Sequence, residues 1–209
     1  MVMQEQWRVI TRALETDKRL PLRDLAILEI GLRGESDFAR LISLGATPKL
    51  VQKVSLTLDS SEQTHGPGPT VSYGVRTARK LEFPDGTFDL VFLSAIISSI
   101  LDDQTRRAIA GEVERVLKPG GAILWYDLRR WTPGDQSARP VSRRELRRLF
   151  PSLIPSLQAI TLMPALARRL KRSTRAIYPL LAAIPLLRSH LVGLLVKPVG
   201  DAPHGSRRH

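Results

Sequence analysis

The apolar positions of this chain change period along its length, and the changes mark out its elements. Trp7, Ile10 and Leu14 recur at helical spacing within Gln6–Leu14, which predicts a short helix. Pro21 and Asp24 break that pattern ahead of a compact apolar run, Leu25-Ala-Ile-Leu-Glu-Ile30, which suits a buried strand. Gly31 and Gly34 follow, and then a helical stretch from Ser36 to Leu44 that stops at Gly45. Strand, glycine turn and helix in this order open a parallel α/β sheet. A weaker strand covers Leu50 to Leu56, and His65–Pro69 reads as a loop.

The middle of the chain is clearer. Phe88-Asp-Leu-Val-Phe-Leu93 is apolar apart from Asp89, as a strand covered on both faces should be. Asp102 or Asp103 caps a helix to about Leu117, with Ile109, Val113, Val116 and Leu117 on one face. Lys118-Pro-Gly-Gly121 ends that helix. Ala122–Tyr126 is the next buried strand. Beyond Asp127 come a polar loop, a basic helix from Ser142 to Phe150, a strand over Ser156–Met163, two helical pieces between Pro164 and Leu187, and a last strand from His190 to Val196. Strand and helix alternating, then closing on a pair of strands, predict one doubly wound, Rossmann-like α/β domain over residues 1–198. Its sheet is mostly parallel with an antiparallel last strand and helices on both faces. Residues 199–209 read as a disordered tail.

Composition adds two constraints. The 209 residues contain no cysteine, which excludes disulfides, thiolate zinc sites and a cysteine nucleophile and fits a reducing, cytoplasmic setting. Met1–Arg12 has no uninterrupted apolar core, so it does not read as a secretory signal. The run Tyr178–Leu187, interrupted by Pro179 and Pro185, is too short to span a bilayer. The net charge of +12 is uneven. Met1–Asp127 holds 16 Lys+Arg against 17 Asp+Glu, a net of −1, and Leu128–His209 holds 16 against 3, a net of +13. Such a basic half is either a solvated arginine surface or a patch for anionic partners, including a peripheral contact with an anionic membrane. No aromatic stacking run accompanies the arginines, which counts against nucleic acid.

Two segments carry a family resemblance. Leu81-Glu-Phe-Pro-Asp-Gly-Thr-Phe-Asp-Leu-Val91 and Val116-Leu-Lys-Pro-Gly-Gly121 resemble, in order and spacing, the entry to the fourth strand and the turn before the fifth in class I S-adenosylmethionine-dependent methyltransferases. The likeness is to the small-molecule and ubiquinone/menaquinone-type group. It implies S-adenosylmethionine as cofactor and methyl transfer to an O or N atom of a small-molecule or lipid-linked acceptor. It also implies that residues 164–188 form a basic helical insertion, a lid or a membrane-facing segment.

Residue by residue, the resemblance puts the cofactor against Glu29, Gly31, Gly34, Ser55, Thr77, Ala78 and Ser94, and the sequence departs from the family pattern at several of them. The family's E-x-G-x-G-x-G stands here as Glu29-Ile-Gly31-Leu-Arg33-Gly34-Glu35. A glycine is needed where backbone must approach the ligand closely. Ser55 occupies the place of the acid that binds the ribose hydroxyls, with Asp59 four residues on. Thr77-Ala78 replaces an Asp-Ala pair. Asp127 and His190 are the candidate catalytic groups, Asp127 to orient an acceptor and His190 as a base. The departures leave a second reading open, a methyltransferase-like pseudoenzyme that binds a protein partner or an anionic surface through its basic C-terminal region.

Overall fold

The computed structural model describes residues 2–32, 36–57, 64–65, 70–74, 80–130, 137–162 and 188–199. These contain α1 (Val2–Thr16), β1 (Ile27–Leu32), α2 (Phe38–Ser43), β2 (Val51–Thr57), β3 (Thr64–His65), β4 (Thr70–Gly74), β5 (Phe88–Ser94), α3 (Asp103–Val116), β6 (Leu117–Leu128), α4 (Arg143–Leu149), β7 (Ile154–Leu162) and β8 (Arg188–Val196). The strands form one sheet in the order β3-β4-β2-β1-β5-β6-β8-β7. The neighbours from β4 through β6 are parallel. β8 runs antiparallel to both β6 and β7.

The doubly wound fold and its antiparallel last strand are therefore present, with three differences in detail. β8 is inserted between β6 and β7, so the antiparallel strand is the penultimate one and β7 is the edge. The two-residue β3 takes in His65, the first residue of the expected loop His65–Pro69, and β4, for which no element was expected, follows that loop. Val71 and Tyr73 alternate as a strand requires, but the run is too short to stand out between prolines and glycines. Arg188 belongs to β8 rather than to the insertion. The rest of that insertion and residues 200–209 fall outside the described residues.

Each sheet face is buried under two helices. Trp7, Ile10 and Leu14 of α1, with Leu41 of α2, pack on Ile27, Leu90, Phe92 and Leu124. Trp7 meets the Phe92 ring edge-on at 5.7 Å. Ile109, Val113 and Val116 of α3, with Leu146 of α4, cover Leu28, Val91, Leu93, Ile123 and Trp125 on the other face. Burial of each such aliphatic or aromatic side chain stabilises by about 1.5–3 kcal/mol.

The polar residues of the two recognisable segments have structural tasks. Asp89, the lone acid of β5, accepts from the Ala26 N–H at 2.9 Å and from Lys118 Nζ at 2.8 Å, which ties three segments at the amino ends of the strands. Arg115 holds the Leu81–Gly86 turn by donating to Leu81 O at 3.0 Å, Phe83 O at 2.8 Å and Asp85 at 2.7 Å. Helix α3 starts on an Asp102 cap, whose side chain accepts from the Thr105 N–H. It ends at Val116, and Gly120 at φ +76° then admits the left-handed turn that lets Lys197 bond to Gly121.

Gly193 in β8 has no room for a side chain. Its φ is +147°, and a Cβ there would stand 2.1 Å from Ser156 O of β7. Gly193→Ala should lower the unfolding free energy by about 2–4 kcal/mol, read from urea unfolding curves. A loss within a few tenths would contradict this packing.

Candidate functional site at the carboxyl edge

In an open parallel sheet the carboxyl ends of the strands share one edge, and a crevice opens where the strand order reverses. Here the reversal lies between β1 and β5. Side chains alternate between faces along a strand. Because Ile27, Val51, Phe92 and Leu124 face α1 and α2, Glu29, Gly31, Ser55, Ser94 and Tyr126 share that face. Register aligns them. Gly31 pairs with Ser55 and Ser94 with Tyr126, and Gly31 and Ser94 each lie one residue beyond the Ile30–Leu93 pair. The row Ser55, Gly31, Ser94, Tyr126 thus crosses the switch point.

Three of its four residues are small, and two of these carry hydroxyls. Gly31 contributes no side chain. Ser55 is 6% exposed, and neither its hydroxyl nor that of Ser94 has a partner among the described residues. Beside the row, Glu29 is 2% exposed and accepts from the Asp37 N–H at 2.6 Å and the Ser36 hydroxyl at 3.2 Å. Burial pushes its carboxyl above the ordinary range, against those two bonds and the pull of Lys53. Glu29 thereby fixes the far end of the β1–α2 connection. Gly34 in that connection, and Thr77 and Ala78, lie outside the described residues.

After β5 the chain turns through Ala95 at φ +55°, a left-handed conformation that a non-glycine residue seldom adopts. Its N–H bonds Tyr126 O at 2.8 Å, and its carbonyl accepts from the Ser99 hydroxyl at 2.8 Å. Such an outlier at a ligand edge is held by its surroundings.

Asp127 is what holds it. The side chain points to the α3–α4 face and is buried. It accepts from the N–H groups of Ile97 at 2.9 Å, Ser98 at 3.1 Å and Leu128 at 2.7 Å, and from the Ser98 hydroxyl. Asp127 was expected to orient an acceptor, but its oxygens are engaged in anchoring the loop after β5. Burial pushes its pKa up to about 6 in spite of those bonds.

His190 lies inside β8, two residues past the strand's start, opposite Leu128. Its ring stacks on Tyr126 with centroids 4.9 Å apart and planes 3° apart. Nδ1 is 2.8 Å from Ser189 Oγ, and Nε2 has no partner among the described residues. Burial pulls its pKa down to about 4, so the imidazole is neutral at pH 7. Tyr126 brings His190 to the end of the row that Ser55 begins.

One functional position escaped the sequence reading. Arg106, wholly buried, donates to Ile100 O at 2.5 Å, Arg139 O at 2.6 Å and Glu145 at 2.6 Å, pinning the same loop from behind. Its signal was available, since Arg106 stands three, four and seven residues before Ile109, Ala110 and Val113. That is an arginine on the apolar stripe of α3.

With this geometry in view, residues 31–125 match the family model of a methyltransferase domain. Over 92 residues the chain is 33% identical to an uncharacterised methyltransferase of Synechocystis sp.. That match covers 44% of this chain and 38% of the relative, so the chain spans well under half the length of that protein. Residues 31–125 are thus similar to a methyltransferase domain. Two solved structures share the fold across 92% of the chain. One is a SAM dependent methyltransferase from Archaeoglobus fulgidus, with a TM-score of 0.58, 11% identity and 94% of its own chain covered. The other is the [4+2]-cyclase SpnF, with a TM-score of 0.56, 18% identity and 81% of its chain covered. The methyltransferase domain match ends at Trp125, just before the Tyr126–His190 pair.

Two of the buried titrating groups among the described residues, Asp127 and His190, make opposite demands on pH. Between about pH 4 and pH 6 folded Asp127 keeps a proton that the unfolded chain loses, so its contribution to stability falls as pH rises. Between about pH 4 and pH 6.5 the unfolded chain protonates His190 and the fold does not, so that contribution rises with pH. Each is on the order of 3 kcal/mol. Urea unfolding across this window should show a steeper rise with pH in Asp127→Asn than in the parent, and a fall in His190→Gln. Parallel curves for all three proteins would contradict these environments.

Proposed function

We propose that the domain binds S-adenosylmethionine across the Ser55–Gly31–Ser94 row and transfers its methyl group to an O or N atom of a small or lipid-linked acceptor. The observation that carries this reading is the placement of Ser55, Gly31 and Ser94, all small, side by side at the carboxyl ends of three neighbouring strands at the switch point. A strip with no bulky side chain and two hydroxyls fits a long polar ligand laid over strand ends.

In this reading Gly31 lets backbone approach the ligand, and Ser55 gives one hydroxyl to the ribose where the family uses an acid. Ser55 thus offers a single, uncharged hydrogen bond. Glu29 shapes the glycine turn, to which Gly34 contributes. Thr77 and Ala78 flank the adenine, and Ser94 faces the reacting end. When bound, S-adenosylmethionine supplies an electrophilic methyl on a sulfonium. The chain's own task is to align the acceptor and handle its proton. His190 serves the second task. It is neutral at pH 7, is fixed by Tyr126 stacking and, where Nδ1–H donates to Ser189, has an Nε2 lone pair free to accept. Asp127 acts through the Ile97–Ser98 loop that it anchors.

The basic excess after Leu128 supports an acceptor that is anionic or borne on an anionic lipid surface. Among the described residues no helix is long and apolar enough to cross a membrane. A pseudoenzyme reading draws its support from Ser55 in place of the acid, and the same titration separates the two. Isothermal titration of the whole chain with S-adenosylmethionine and S-adenosylhomocysteine should give dissociation constants in the micromolar range. Gly31→Val should weaken them tenfold or more, about 1.4 kcal/mol. His190→Ala should leave them unchanged. Absence of binding up to millimolar ligand, in protein shown to be folded, overturns the enzyme reading.

A further inference from the structure

On the outer side of α3 and α4, away from the Ser55–Gly31–Ser94 row, lies a cleft of about 230 Å³ whose lining is dominated by arginine. Only two carboxylates line it, Asp103 and Glu145, and both are already committed. Arg139 donates to Asp103 at 2.5 Å and to Glu145 at 3.3 Å, and buried Arg106 takes Glu145 from behind at 2.6 Å. That leaves Arg107 on α3 and Arg144 and Arg148 on α4 with no anionic partner among the described residues. Arg144 and Arg148 are four residues apart on one helix face, where like charges repel. Ser142 also lines the cleft. Its oxygen accepts from the Glu145 N–H as the α4 cap, which leaves its O–H to donate outward.

We propose that this cleft is an anion site for the phosphate or diphosphate end of a small molecule, held by Arg107, Arg144, Arg148 and the Ser142 hydroxyl. Guanidinium groups match phosphate oxygens two at a time, and several converging on one space select a multiply charged anion over a carboxylate. The volume falls below the ~300 Å³ at which pockets for drug-sized ligands begin, so it holds a charged end and leaves the remainder of the ligand outside. The cleft also communicates with the carboxyl edge. Arg139, which closes it, gives its own N–H to Ser98 O at 2.7 Å, on the loop that Asp127 anchors. The site stands whether or not the methyl-transfer reading does.

The test is a titration of the full chain with pyrophosphate and with inorganic phosphate at low ionic strength, followed by phosphorus NMR. Saturable pyrophosphate binding at submillimolar concentration is expected. Arg144→Gln and Arg107→Gln should each weaken it tenfold or more, while Arg8→Gln, an exposed arginine on α1, leaves it unchanged. All three positions are on the surface, and matching thermal unfolding confirms that the variants are folded. Absence of saturable binding overturns the proposal, as does an equal loss in Arg8→Gln, which would mark a general charge effect. A third contrary result is binding to phosphatidylglycerol vesicles that depends on Arg144 while pyrophosphate does not bind, because the surface would then serve a membrane.

Discussion

The reversal of strand order between β1 and β5 is the constraint on which the rest of this structure depends. β1 is covered by helices on both faces and flanked by parallel strands on both sides, so it has no freedom to present anything except at its carboxyl end. That end is Gly31, beside Ser55 on one neighbour and Ser94 on the other. Connections that leave β1 and β5 toward opposite faces open the crevice there, and polar residues inside the sheet become tolerable only because they lie at its mouth.

A crevice is useful only if its walls keep their shape, and here two buried charges keep one wall in place. Asp127 binds the loop after β5 through the Ile97 and Ser98 N–H groups, and Arg106 binds its far end at Ile100. Neither charge meets the other. Each is compensated by peptide dipoles, and Arg106 also by Glu145, which is how a low-dielectric interior accommodates an ion. The left-handed Ala95 is retained between these two anchors. The division of labour is clear: the face toward α1 and α2 carries the candidate ligand contacts, and the face toward α3 and α4 carries the groups that hold them in position.

Much of this was legible in the sequence, for physical reasons that can be named. Strands buried on both faces are continuous apolar runs, so β1, β5 and the core of β6 stood out, and the Asp102–Asp103 pair, Lys118-Pro-Gly-Gly121 and Ser142 marked helix boundaries. β4 was missed because five residues between turn formers carry too little periodicity. The insertion of β8 between β6 and β7 was not readable, because strand order depends on pairing across the sheet and leaves no local trace. In the site, Glu29, Gly31 and Ser94 followed from their places at strand ends. The roles of Asp127 and Arg106 did not, since a carboxylate aimed at a ligand and one aimed at a backbone loop look alike in sequence. Burial and donor counts distinguish them.

Fold alone does not name a reaction, and one solved structure with this fold is a cyclase. The central claim therefore concerns where ligand binds, and backbone amide NMR of labelled protein titrated with S-adenosylhomocysteine addresses it most directly. The account predicts saturable shifts at Gly31, Leu32, Ser55, Ser94, Ala95 and Tyr126, with the amides of α3 and α4 unmoved. Saturable shifts confined to other parts of the chain, or none at all, would contradict it.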